Sequence, residues 1–148
     1  MKKIISYLLR LMMRVNASRP EKNQRLLDAR IASGLEKWIE EKGYCQSDMN
    51  LSDVAAMLDV SAEALSYYCT TTLGKRFSSL RKDLRIKEAH RLIAAHPRLP
   101  LVRMAFSVGI HDKGNFRRQF FELSNYTPGE WRRQCLAKQT RKQVRYQK

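Results

Sequence analysis

The side chains best able to hold a metal or act as nucleophile and base are three histidines (His90, His96, His111) and three cysteines (Cys45, Cys69, Cys135). Neither set has metal-ligand spacing, and three widely separated cysteines make no disulfide framework. Glu40-Glu41 falls on a solvated helix face, and the chain holds no glycine-rich phosphate loop and no nucleophile elbow. An enzyme is therefore not expected, nor a metal or a cofactor. The polar chemistry is concentrated instead in two segments, SAEALSYYCTTTL from Ser61 and HDKGNFRRQF from His111. Their hydroxyl, amide and basic groups suit hydrogen bonding to base edges and phosphates, not bond cleavage.

Each segment is the second half of a repeated pattern. LSDVAAMLDVSAEAL begins at Leu51, and LVRMAFSVGIHDKGNF begins at Leu101. Both have an apolar start and an apolar residue followed by alanine (Val54-Ala55, Met104-Ala105). Both then have an apolar pair across a tight turn (Leu58 and Val60, Val108 and Ile110) and a capping residue (Ser61, Asp112). Small alanines let two helices cross closely, and the second helix can then turn a polar face outward into a major groove. Leu51 pairs with Leu101 at an offset of fifty, and Leu65 with Phe116 at fifty-one, so the second turn holds one extra residue.

The elements that must position these helices are all helical in period. Leu27, Ile31, Leu35, Trp38 and Ile39 mark a first helix over 24–42, stopped by Gly43, with a polar loop from Tyr44 to Asn50. Asn50 with Asp53 caps the next helix, Asp59 occupies the first turn, and Gly74 stops the helix that follows Ser61. A long helix follows over 78–95, its stripe formed by Leu80, Leu84, Ile86, Ala89, Leu92 and Ile93. Pro97 and Pro100 bracket a break. Asn125 ends the helix begun near Lys113, and Thr127-Pro128-Gly129-Glu130 forms a capping box that opens the last helix. Trp38, Phe77, Phe106, Phe116, Phe120 and Trp131 are expected in the core. Of the adjacent tyrosines, Tyr68 is expected inward and Tyr67 outward, and Cys69 inward. From Lys138 the chain reads as a frayed basic tail.

The 148 residues carry 29 basic and 14 acidic side chains, a formal charge of +15. Residues 1–20 hold five basic and no acidic residues, and residues 131–148 hold seven and none. Such a chain suits a polyanionic partner, a nucleic acid such as double-stranded DNA or, less often, an anionic membrane surface. Met1 to Val15 reads as a basic amphipathic helix, with Lys3, Ser6, Arg10 and Arg14 on one face and Ile4, Ile5, Leu8, Leu9, Leu11, Met12 and Val15 filling most of the rest. It is too short and too charged to span a bilayer. It offers packing on the main domain, pairing with a partner helix, or attachment to a membrane surface. The second function class is therefore a membrane-surface or protein-interaction module built on residues 1–15. Cysteine usage points to a reducing, cytoplasmic compartment.

From Leu27 to Arg133 the chain resembles the C-terminal DNA-binding domain of the AraC-type transcriptional regulators. LRIKEAHRLI (84–93), MAFSVGIHDKGNFRRQF (104–120) and YTPGEWRR (126–133) carry the likeness. The resemblance implies an all-α fold of seven helices, a double helix-turn-helix (a homeodomain-like pair) joined by the long linker helix. The expected organisation is an extension over 1–23, a domain over 24–134 and a tail over 135–148. Within the domain, the helix-turn-helix units span 51–73 and 101–123. Two recognition helices would enter successive major grooves on one face of DNA, about 34 Å apart. Carried over by position, the base-reading residues would be Glu63, Ser66, Tyr67 and Thr70, with Ala62 beside them, and His111, Lys113, Asn115 and Arg118. Lys75, Arg76, Arg98, Arg103, Arg117, Arg132 and Arg133 would meet phosphates. Contact with RNA polymerase is implied as the family's route to activation. Members usually carry a separate sensor domain. With fewer than thirty residues ahead of the first helix here, the expectation is either a stand-alone reader controlled by its abundance or the output piece of something larger, and no small-molecule effector is expected. Asp59, Cys69, Ile110 and Asn125 depart from the family's usual Gly, Phe, Phe and Gly, and the first recognition helix lacks Lys and Arg.

Overall fold

A computed structural model describes residues 22–145, and the expected helix over 1–15 lies outside them. Seven α-helices are present among the described residues. They are α1 (Lys22–Glu40), α2 (Leu51–Met57), α3 (Ala62–Thr71), α4 (Phe77–Ala95), α5 (Leu101–Ser107), α6 (Lys113–Ser124) and α7 (Pro128–Arg145). They fall into two compact units, one ending at Arg81 and one beginning at Lys82, so α4 starts in the first and continues in the second.

In the first unit, α1 and α2 both pack on α3. Ile31, Leu35, Val54, Leu65 and Cys69 are buried there, with Trp38 against Tyr44 and Phe77. The ends of α2 and α3 are set by side chains. Asn50 Oδ1 accepts from the amides of Ser52 and Asp53, and Asp53 Oδ2 accepts from the Asn50 amide at 2.8 Å. Ser61 Oγ accepts from the Ala64 amide at 3.1 Å. Asp59 takes a left-handed φ of 55° in the turn, and Arg30 of α1 donates to its carboxylate at 3.0 Å. Burial lifts the Cys69 thiol to about 11 and, helped by Asp28 and Cys69, the Tyr68 hydroxyl to about 12.

The end of α1 differs from the sequence expectation. The left-handed residue is Lys42, at φ 55°, and Gly43 opens a short 3₁₀ turn over Gly43–Cys45. Gly43 is required for space: a Cβ there would lie 2.2 Å from the Trp38 ring. Tyr44, expected in a polar loop, is buried on that tryptophan.

In the second unit, α5 and α7 both pack on α6. Ile86, Ala89, Ile93, Met104, Val108, Phe116 and Phe120 are buried. Gly109 (φ 76°) and Asn125 (φ 58°) supply the left-handed turns. The reciprocal cap at α7 forms as expected, with the Thr127 amide donating to Glu130 Oε2 at 2.7 Å and the Glu130 amide to Thr127 Oγ1 at 3.3 Å. The tail does not fray at Lys138: α7 continues to Arg145. Two packing features had no sequence signal, one half-buried and one buried. His90 stacks on Phe120 at 4.1 Å beside Trp131, and its backbone carbonyl accepts from Trp131 Nε1 at 3.2 Å. Glu88 is buried, its carboxylate held by both Nε and Nη2 of Arg91.

Phe106 is not core. It lies 53% exposed, because the inward face of α5 is Leu101, Met104, Ala105 and Val108, and the residue after Ala105 turns away from it. Trp131 is half-buried.

Candidate nucleic-acid interface

Helix α3 is anchored by its inward side. Leu65, Tyr68 and Cys69 are buried, and Tyr67 is 63% exposed against 3% for Tyr68, which leaves Tyr67 facing out. Glu63 and Thr70 share the exposed side, and Ser66 is half-buried. Glu63 stands in the first turn, where the helix dipole favours a carboxylate. The Thr70 hydroxyl donates back into the helix, toward the carbonyls of Ser66 and Tyr67 at 3.0 Å. With its one proton so used, Thr70 can offer a ligand only its oxygen lone pairs. The Thr71 hydroxyl does the same toward the Tyr67 carbonyl at 2.7 Å. The unit therefore presents an acid, a phenol and hydroxyl acceptors, and no cation on α3 itself. Lys75 and Arg76 follow the helix, with the Lys75 amide donating to the Cys69 carbonyl at 3.0 Å once Gly74 (φ 66°) has turned the chain.

Helix α6 is the chemical opposite. Asp112 caps it by accepting from the Asn115 amide at 2.5 Å. Phe116 and Phe120 fix its inward side, while Lys113, Arg117 and Arg118 are exposed and Asn115 is half-buried. Asn115 Oδ1 is a point of convergence: Arg118 Nη2 donates to it at 2.9 Å and Gln119 Nε2 at 2.8 Å. Glu122 is shared by two cations, Lys82 Nζ at 3.2 Å and Arg118 Nε at 3.9 Å. Gln119 and Glu122 were not singled out in the sequence, although each stands four residues after its partner, Asn115 or Arg118, a step that places the two on one helix face.

Of the other expected residues, His111 lies in the turn before Asp112, its ring stacked on Phe106 at 4.7 Å. Arg98 and Arg103 are exposed, as is Arg133, and Arg132 is half-buried beside α6's start. Glu130 is held ionised below its usual range, first by the Thr127 amide and hydroxyl, then by Arg133 and Arg117. No group of three or more metal-ligating side chains occurs among the described residues.

The caps fix the register between the two helices. Ser61 matches Asp112, Leu65 matches Phe116, and Cys69 matches Phe120. In that register Tyr67 and Arg118 hold the same station, while Asn115 matches Ala64 and Ser66 matches Arg117. The two sets of expected base-reading residues are thus equivalent at one station only.

A family model described as a helix-turn-helix domain matches residues 54–134. Among curated proteins, the chain is 30% identical over 92 residues to the arabinose operon regulatory protein of Escherichia coli (strain K12). That alignment covers 62% of this chain and 31% of the relative. The protein of the same name from Salmonella typhimurium is 30% identical over 89 residues, with 60% and 31% covered. The chain thus spans about a third of the length of the curated relatives it matches. Among solved structures, the C-terminal domain of AraT, a response regulator from Geobacillus stearothermophilus, matches at 28% identity and a TM-score of 0.59, with 79% of this chain and 88% of that one covered. An AraC-type DNA-binding domain-containing regulator from Chromobacterium violaceum shares the fold at a TM-score of 0.64 and 20% identity, with 72% and 92% covered.

Proposed function

The chain belongs to the AraC-type helix-turn-helix family of DNA-binding transcription regulators, and from that premise we propose how its two units divide the work. Both α3 and α6 enter major grooves, but α6 supplies most of the affinity and most of the direct base reading. The observation that carries this is the exposed side of α6, where Lys113, Asn115, Arg117 and Arg118 stand on a helix pinned by two buried phenylalanines. Arg118 forms two hydrogen bonds to a guanine, and Asn115, released from Arg118 and Gln119, does so to an adenine. His111 and Lys113 complete the α6 contribution. On α3, Glu63 accepts from a cytosine amino group, while Ser66, Tyr67 and Thr70 make weaker polar and apolar contacts.

Lys75, Arg76, Arg98, Arg103, Arg117, Arg132 and Arg133 meet phosphates, which set position and salt dependence but not sequence. The chain works without enzymatic chemistry in a reducing, cytoplasmic setting, and contact with RNA polymerase is its route to altering transcription. Nothing among the described residues favours the membrane-surface alternative, and no helix among them is long and apolar enough to cross a membrane.

Selection of duplexes from a random library by the full chain tests the proposal. The expected product is a two-part motif with elements about ten base pairs apart, the stronger assigned to α6 because Arg118→Ala flattens one of its positions. A single element would overturn the two-helix reading, and no enrichment would overturn sequence-specific recognition.

A further inference from the structure

The second unit carries a groove of about 450 Å³ beside the start of α6. Its apolar side is formed by Leu101, Val102 and Phe106 of α5 and by Pro128 at the start of α7. Phe106 and Val102 are about half exposed there, so the groove already holds solvent-facing apolar surface. Its ionisable lining is His111, Lys113, Arg117 and Arg132, with no carboxylate among the lining residues. Glu130, whose charge Arg117 feels, is tied to the Thr127 amide and hydroxyl at 2.7 and 2.8 Å. The volume lies within the range of about 300–1,000 Å³ common to small-molecule sites, which join an apolar wall to a few placed polar groups.

We propose that this groove binds a small amphipathic carboxylate and that the bound acid and DNA exclude one another. The acid's hydrocarbon lies against Phe106, Val102 and Leu101. Its carboxylate meets the cationic rim, where a guanidinium can hold both oxygens at once. Charge selects this occupant. A cationic molecule is repelled, and a neutral apolar one leaves the rim unused. The chain's own residues 1–20, with five basic and no acidic side chains, match the rim in sign. The competition with DNA rests on the reading above, because Lys113, Arg117 and Arg132 serve there as base and phosphate contacts. An acid bound here would act as an effector, where the sequence leads to the expectation of none.

Calorimetric titration of the full chain with sodium decanoate below its micelle concentration, without DNA, tests the site. A single saturable site is expected, about tenfold tighter for decanoate than for decan-1-ol or inorganic phosphate, as charge-assisted hydrogen bonds joined to apolar burial require. Amide resonance shifts should concentrate in residues 100–132. Phe106→Ala, at an exposed position, should weaken decanoate at least several-fold with unchanged helicity, and Arg132→Gln should do the same. Non-saturable uptake, equal affinity for decanol, indifference to Phe106→Ala, or tighter binding of an acidic amphipathic peptide would each overturn the site. In the second arm, decanoate should release a short duplex from the protein. Binding of decanoate with no release of duplex would overturn the competition. Failure of the protein to bind duplex at all would count against the DNA reading while leaving the decanoate isotherm standing.

Discussion

Arg118→Ala separates base reading from charge. A good bidentate contact to guanine discriminates by about 1–3 kcal/mol. In the free protein, however, Arg118 is not idle: it donates to Asn115 Oδ1 at 2.9 Å and faces Glu122 at 3.9 Å. An exposed pair of that kind is worth about 0–1 kcal/mol, which must be given up on binding. The net discrimination expected is therefore about 1–2 kcal/mol, or roughly 5- to 30-fold at one base pair. The assay is fluorescence anisotropy of the full chain on a selected operator and its single-base variants, repeated across salt concentrations. Arg118→Ala should flatten the preference at one position and leave the others intact. The salt slope should change by less than the roughly 0.9 expected for one lost phosphate contact. Glu122→Gln should tighten binding, since it frees both Arg118 and Lys82 from a shared carboxylate. A uniform loss across all variants with a full unit of salt slope would refute the base-reading role and make Arg118 a phosphate contact.

Gly34→Ala places a methyl 2.5 Å from Leu58 Cγ, and Gly43→Ala places one 2.2 Å from the Trp38 ring. Overpacking of about 1–3 kcal/mol outweighs the helix-propensity gain of about 1 kcal/mol at Gly34. Both variants should lower the urea midpoint with unchanged slope, Gly43→Ala more, because it has no helix interior to benefit. Burial lowers the pKa of His90, so unfolding takes up a proton between the usual value of 6.5 and the lower folded one. Stability should be full above pH 6.5 and fall below it, and His90→Gln should remove that part of the loss in urea titrations between pH 7.5 and 5.5. The Cys69 thiol, raised to about 11 by burial, should resist Ellman's reagent in the native protein and react once denatured.

The local signals proved reliable where a single side chain settles the backbone. Asn50, Ser61, Asp112 and Thr127 cap helices as their types require, and Asp59, Gly109 and Asn125 turn the chain left-handed. Phe106 shows the limit of that reading, since an aromatic at helical spacing is expected inside while its particular spacing from Leu101, Met104, Ala105 and Val108 sets it on the surface. Spacing won because a seven-residue helix has only one inward face. Gly43 shows a different limit. Glycine in sequence suggests a left-handed turn, but here it answers to a tryptophan five residues earlier, and only packing reveals that. His90 is half-buried through partners on a distant helix and Glu88 is buried through a partner on the adjacent turn, information that helical periodicity does not hold. The candidate reading residues were legible as two polar helices. Their station-by-station correspondence was legible too, because the caps Ser61 and Asp112 and the pair Leu65 and Phe116 share the offset of fifty-one.

The protein's two tryptophans are divided between its units: Trp38 is buried in the first, and Trp131 is half-buried beside His90 in the second. Each unit therefore contains its own intrinsic fluorophore. Exchanging one indole at a time for phenylalanine yields two single-reporter proteins, in which emission follows the melting of one half while the other stays dark. Whether the halves melt together or in succession then becomes a spectroscopic reading that needs no attached dye.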